Sequence, residues 1–225
     1  MPASDLHMFL GVALGVTALF AVVIVFGLRS ATRRQASTLR DTRASDVLAG
    51  VGLSGVDRAA LLYGVWQTGM SEVILRVRDG DDTGVASIVY RLAGTTITVS
   101  DEQYTVAATS GWHESASLMR ADNGARTPAP LCTFELQGWG GGRLARYTLP
   151  DGRVFSIRSR WSLPWKSVPL AIVQDGRTVG YVFTIASTAY NVGRAITLPP
   201  SIPLPIRLFM LYKATGSRTA NTGMP

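Results

Sequence analysis

Residues 168–185 read VPLAIVQDGRTVGYVFTI, two β-prone apolar runs (Val168 to Gln174 and Thr178 to Ile185) that meet at Asp175-Gly176. Asp-Gly supplies the positive φ that a tight hairpin needs, so this stretch reads as two antiparallel strands joined by a short turn. The same device recurs just upstream. Pro150-Asp151-Gly152-Arg153 separates the run Arg143 to Leu149 from the run Val154 to Trp161.

Working outward, further short runs follow the same grammar: Val73 to Arg78, Val85 to Arg91, Thr95 to Ser100, Gln103 to Ala108 and Leu131 to Gln137. Strands this short, punctuated by turn residues, predict an antiparallel barrel or closed sandwich. A parallel α/β sheet would need crossover helices, and no long helical pattern interrupts the runs. Asp79-Gly80-Asp81-Asp82-Thr83-Gly84 opens like a calcium loop, but its twelfth position is Tyr90 and no helices flank it, so a solvated hairpin tip is expected and no metal. Gly138 to Gly142 lacks the strand-to-helix setting of a phosphate loop and reads as a turn.

Toward the C-terminus, Leu198 to Pro205 carries four prolines and must run extended before the apolar segment Ile206 to Ala214. Apolar residues fall almost all round that segment, as in a helix buried inside something else, and it is too short for a membrane span. Residues 216–225 read as a disordered tail. On the other side, Ser54 or Asp57 ahead of Ala59, Ala60, Leu61, Leu62, Val65 and Trp66 predicts a short helical segment over 54–71.

The run Asp151-Gly152-Arg153-Val154-Phe155-Ser156-Ile157, the hairpin Ile172 to Gly180 and the closing apolar segment Leu204 to Tyr212 together resemble the tubby-like barrel superfamily. That group includes tubby C-terminal domains, LURP-one-related proteins and phospholipid scramblases. The resemblance covers roughly residues 72–215. It implies a closed antiparallel barrel, with more strands than the nine runs above, threaded by a hydrophobic C-terminal helix. Scramblase-like calcium ligands and tubby-like phosphoinositide-binding lysines have no recognisable counterparts here, so neither ligand nor activity is carried over.

Ahead of the β-rich part, Met8 to Leu28 carries no charge. As a helix it extends about 31 Å, against a hydrocarbon core of about 30 Å, and predicts a single membrane span. Arg29, Arg33, Arg34, Arg40 and Arg43 follow it, while no lysine or arginine precedes it. The positive-inside rule then predicts an outside N-terminus and a cytoplasmic C-terminal domain at the cell membrane, with residues 29–53 as a basic juxtamembrane linker. Gly11 and Gly15 have the small-xxx-small spacing of helix pairing, which admits a homodimer.

The composition, 47% hydrophobic and 16% charged, suits a folded chain. The lone cysteine, Cys132, excludes an internal disulfide and a zinc knuckle and is expected as a small buried residue. His7 and His113 stand in no catalytic motif, so no catalytic residue, metal or cofactor is assigned. The formal net charge of +7 calls for an anionic partner. Beside a membrane span that partner is expected to be an anionic phospholipid headgroup or a membrane partner protein, and no nucleic acid is expected.

Between Gln137 and Gly180, Arg143, Arg146, Arg153, Arg158, Arg160, Lys166 and Arg177 face only Asp151 and Asp175. Period two places Phe155, Ile157 and Trp161 on a core face and Arg158 and Arg160 on the other. With Trp165 and Lys166 in the following turn, these arginines form the expected lipid-binding set. The resulting expectation is a non-enzymatic membrane-anchored barrel that binds anionic lipid or a membrane partner. A scaffold or assembly subunit paired through Gly11 and Gly15 is the second reading, and a scramblase-like lipid-handling protein the third.

Overall fold

The structure is a computed structural model that describes residues 41–53, 55–68, 71–109, 114–121, 129–138, 142–160, 168–186 and 191–214. The expected span from Met8 to Leu28, its pair Gly11 and Gly15, and Arg29, Arg33, Arg34 and Arg40 lie outside these residues, as does the expected tail, 216–225. Among the described residues no helix is long and apolar enough to cross a membrane.

Inward and outward residues alternate along the strands. In β5 (Glu102–Thr109), Tyr104 and Val106 are buried while Gln103, Thr105 and Ala107 are exposed. A sheet with one apolar face closes its edges by curling round that face. The strands in order are β1 (Leu61–Thr68), β2 (Val73–Asp79), β3 (Gly84–Arg91), β4 (Gly94–Val99), β5, β6 (Ser115–Arg120), β7 (Cys132–Gln137), β8 (Gly142–Thr148), β9 (Val154–Arg160), β10 (Leu170–Gln174), β11 (Arg177–Ala186) and β12 (Asn191–Thr197). Each pairs antiparallel with its sequence neighbours, and β1 closes the ring on β12 with Leu61 opposite Thr197. The chain is therefore mainly β, a closed antiparallel barrel of twelve strands.

The Asp-Gly hairpins lie where the sequence places them. Gln174 pairs with Arg177 across Asp175 (φ 50°) and Gly176 (φ 74°), both left-handed, as the two-residue turn requires. At the β8–β9 turn Gly152 takes φ 85° and Asp151 accepts from the Arg153 N–H.

After β12 the chain turns at Pro199–Ser201 and enters a helix, Leu204–Ala214, which we call α2 because a short helix α1 (Ala44–Ala49) precedes the barrel. Helix α2 is buried on nearly every side: Ile206, Arg207, Leu208, Phe209, Met210, Leu211 and Lys213 are all buried. It touches β4 through Thr95, β8 through Tyr147, β7 through Phe134 and β12 through Arg194, strands from opposite parts of the ring, so it fills the barrel. Phe134 lies tilted against Tyr147 with centroids 5.2 Å apart, and Tyr147 meets Phe209 of the plug edge to face at 6.2 Å.

The expected helical segment over 54–71 is overturned. Asp57 does cap a turn, accepting from the Ala59 N–H, but that turn is a single 3-10 turn (Arg58–Ala60), and Leu61–Thr68 continue as β1. The barrel begins there rather than at 72. The physical reason is that β1 is covered on both faces. Leu62 and Trp66 face the plug, while Leu61 and Tyr63 face α1 and the chain after it, where Ala44, Val47, Leu48, Val51, Leu53 and Val56 form a second small core over β1, β12 and β11. A strand buried on both faces shows no period of two and reads as a helix from pattern alone. The end of the expected linker, from Ala44 onward, is thus structured.

Candidate functional site

Twelve antiparallel strands put successive turns at opposite rims. The odd-numbered strands finish at one rim, called here the upper rim, and start at the other, the lower rim. Strand β9 climbs to the upper rim with Phe155 and Ile157 pointing in, as expected, and Arg158 exposed on the wall. Arg158 lies across from Leu144 of β8, and Arg146 lies one outward step below, across from Ser156. Among the described residues no carboxylate forms an ion pair with Arg158, whereas Arg146 has Glu135 of β7 as its cross-strand neighbour. Arg160 ends β9, next to the upper rim. Trp165, Lys166 and Trp161 lie outside the described residues. The expected set is therefore brought to one end of the wall in its described part, Arg158 and the backbone of Arg160. Arg153 and Arg177 belong to the lower rim, and Arg153 is paired with Asp151 at 2.7 Å.

Arg43 was assigned to the basic linker. Its guanidinium lies 3.6 Å from the Asp82 carboxylate, so the barrel meets part of its charge. Asp82 is not merely a solvated tip. It accepts hydrogen bonds from the Tyr63 hydroxyl and from the Ala44 N–H at 2.8 Å, clasping α1 to the β2–β3 turn. The Tyr63 bond, then the Ala44 N–H and Arg43, hold the Asp82 carboxyl below its usual range against the opposing effect of burial. Burial and that carboxylate together push the Tyr63 hydroxyl up to about 12.

Inside the upper half of the barrel lies a polar layer that the sequence did not announce. Lys213 Nζ reaches Glu114 Oε1 at 2.6 Å and sits 4.9 Å from the Phe134 ring centroid. Arg194 donates to the Tyr212 carbonyl at 2.6 Å and lies over the Trp66 ring, and burial pulls its guanidinium down to about 10. The Tyr212 hydroxyl bonds Thr95 Oγ1 at 2.9 Å. The one available signal was that Lys213 is among only two lysines of the chain. Cys132 is buried in β7, where desolvation pushes its thiol up to about 12, so it stays protonated and a poor nucleophile. Among the described residues no three His, Cys, Asp or Glu side chains are grouped to hold a metal ion.

Comparison with protein-family models, with curated proteins and with solved structures finds no match to the chain in any of the three.

Proposed function

We propose that this chain is a membrane-tethered, non-catalytic recognition module of the tubby-like kind, anchored by residues 8–28, whose barrel binds anionic lipid headgroups on the cytoplasmic side. The binding set is Arg158, Arg160, Lys166 and Trp165. The observation that carries the reading is the position of Arg158, exposed on the outer wall next to the upper rim and without a carboxylate partner among the described residues. Two features support it. A barrel filled by its own C-terminal helix favours recognition on the outside over a lipid cavity within, which speaks against the scramblase-like alternative. A closed antiparallel barrel of more than nine strands round a C-terminal helix is also what the tubby-like resemblance implies, and the ring here has twelve.

The test uses residues 41–225, one compact unit that contains both hydrophobic cores. Sedimentation with phosphatidylserine-containing vesicles is compared for the native sequence and for Arg158→Glu/Arg160→Glu/Lys166→Glu. Each cation near an anionic surface contributes about 1 kcal/mol, so the triple variant is expected to bind on the order of a hundredfold more weakly, and salt to weaken native binding. Equal binding that ignores salt would reject the reading.

A further inference from the structure

Arg207 goes against three physical preferences at once. It lies in the first turn of α2, where a cation opposes the helix dipole. It is only 9% exposed, although a buried guanidinium is costly without a counter-charge. No carboxylate forms an ion pair with it among the described residues. The other two buried cations of the described residues are provided for, Lys213 by Glu114 and Arg194 by the Tyr212 carbonyl and the Trp66 ring. Conflicts of this kind, gathered on one residue, are expected at functional sites.

Helix side chains lean toward the N-terminus, and Arg207 Nη1 meets the carbonyl of Leu198, ahead of the helix, at a long 3.4 Å. Leu198 follows the lower end of β12, and Leu204 shares a crevice with Ser100 at the lower end of β4, so the guanidinium and the start of α2 lie together at the lower end of the barrel. The other edge of the fork is unused. Nε is enclosed without a partner, and Nη2 makes no hydrogen bond among the described residues. Those two nitrogens form the edge with which a guanidinium grips two oxygens of one oxyanion. A second crevice, of about 380 Å³, is lined by Thr178, Val179, Gly180, Thr197, Pro199 and Pro200 among others, and brings open space to within one residue of the Leu198 carbonyl. Acids also stand at this end, but they are engaged or exposed. Asp57 holds the Ala59 N–H, Asp79 those of Asp81 and Thr83, Asp82 the Tyr63 hydroxyl, Glu102 pairs with Arg120 and Asp151 with Arg153, while Asp81, Asp101 and Asp175 are exposed at turn tips.

We infer that the lower end of the barrel, between the first turn of α2 and Leu198, binds a small phosphate-type oxyanion, with Arg207 as its charged ligand through Nε and Nη2. The positive end of the α2 dipole lies at the same place and favours the same charge. Binding supplies Arg207 with a counter-charge and ties the start of the plug to the end of β12, so occupancy stabilises the seating of α2 in the ring. The site is separate from the cationic wall of β8 and β9 and goes beyond the lipid-binding reading.

The test is urea denaturation of the full chain in an uncharged detergent, with chloride replaced by low-millimolar inorganic phosphate at fixed ionic strength. The native midpoint is expected to rise with phosphate concentration, as for any ligand that binds only the folded state. Arg207→Met is expected to lose that dependence altogether and, in chloride alone, to be no less stable than the native chain, because it removes a buried charge. Arg207→Lys keeps the charge but not the fork and is expected to bind phosphate about tenfold more weakly, the loss of one charge-assisted hydrogen bond; it carries the test if the methionine variant does not fold. A native midpoint indifferent to phosphate, or an equal rise in native chain and variant, overturns the site. Sedimentation with phosphatidylserine-containing vesicles then separates the two sources of the oxyanion. Equal vesicle binding by the native chain and Arg207→Lys assigns the site to phosphate from solution, and weaker binding by the variant assigns it to a lipid phosphate.

Discussion

At the scale of single residues, the most consequential side chain in the described part of the chain is Asp82, since one carboxylate ties the start of α1, the first strand and the β2–β3 turn together. Its pKa is lowered on folding, so the stability it contributes is present above the ordinary carboxylate value of about 3.9 and is lost as pH falls through the lower folded value. Tyr63→Phe removes the largest cause of that lowering. Urea denaturation is expected to show a loss of about 1.5 kcal/mol near neutral pH, the scale of a hydrogen bond to a charged group, and a smaller further loss on acidification than the native chain shows. An unchanged acid profile would mean that Asp82 is not held by Tyr63. Asp82 was legible from sequence only as a turn residue, because its partners, Tyr63 and Ala44, come from segments that pattern alone assigned to a helix and a linker.

At the scale of elements, α2 is fixed in the barrel by its apolar sides and by one buried ion pair. Lys213 is almost fully inaccessible, with 8% of its side chain exposed, so it depends on Glu114. Glu114→Gln strands that ammonium and is expected to cost about 3 kcal/mol. Adding Lys213→Met restores much of the loss, because no buried charge is then left alone. A double-mutant cycle by urea denaturation reads the difference, and strictly additive losses would show that the pair does not hold the helix. The helix itself was legible from its all-round apolar pattern, and so were nine strands, because turn residues flank runs of β-branched and aromatic residues. Three strands were not. Both β1 and β12 are buried on both faces, and β12 has Arg194 at its centre, which reads as a solvent-facing residue until Trp66 and the Tyr212 carbonyl are seen beside it. In β6 the inward residues, Ala116 and Leu118, alternate with Ser115 and Ser117, too weakly apolar to stand out.

At the scale of the whole molecule, the barrel has no free sheet edge, and its outer surface divides by sector. The wall of β1, β12 and β11 is covered by the segment that contains α1, while β8 and β9 present Arg146 and Arg158. The cationic strand was legible because period two sorts Phe155 and Ile157 from Arg158. All of this rests on α2 lying inside the closed ring rather than against its outside. Native-state amide exchange on the full chain tests that directly. Amides of Phe209 to Leu211 are expected to exchange only through global unfolding, as slowly as those of Leu75, Ile88 and Ile157 in the wall, because the helix cannot leave a closed barrel without opening it. Exchange of the helix through a local opening of much lower free energy, with the strands still protected, would contradict the account.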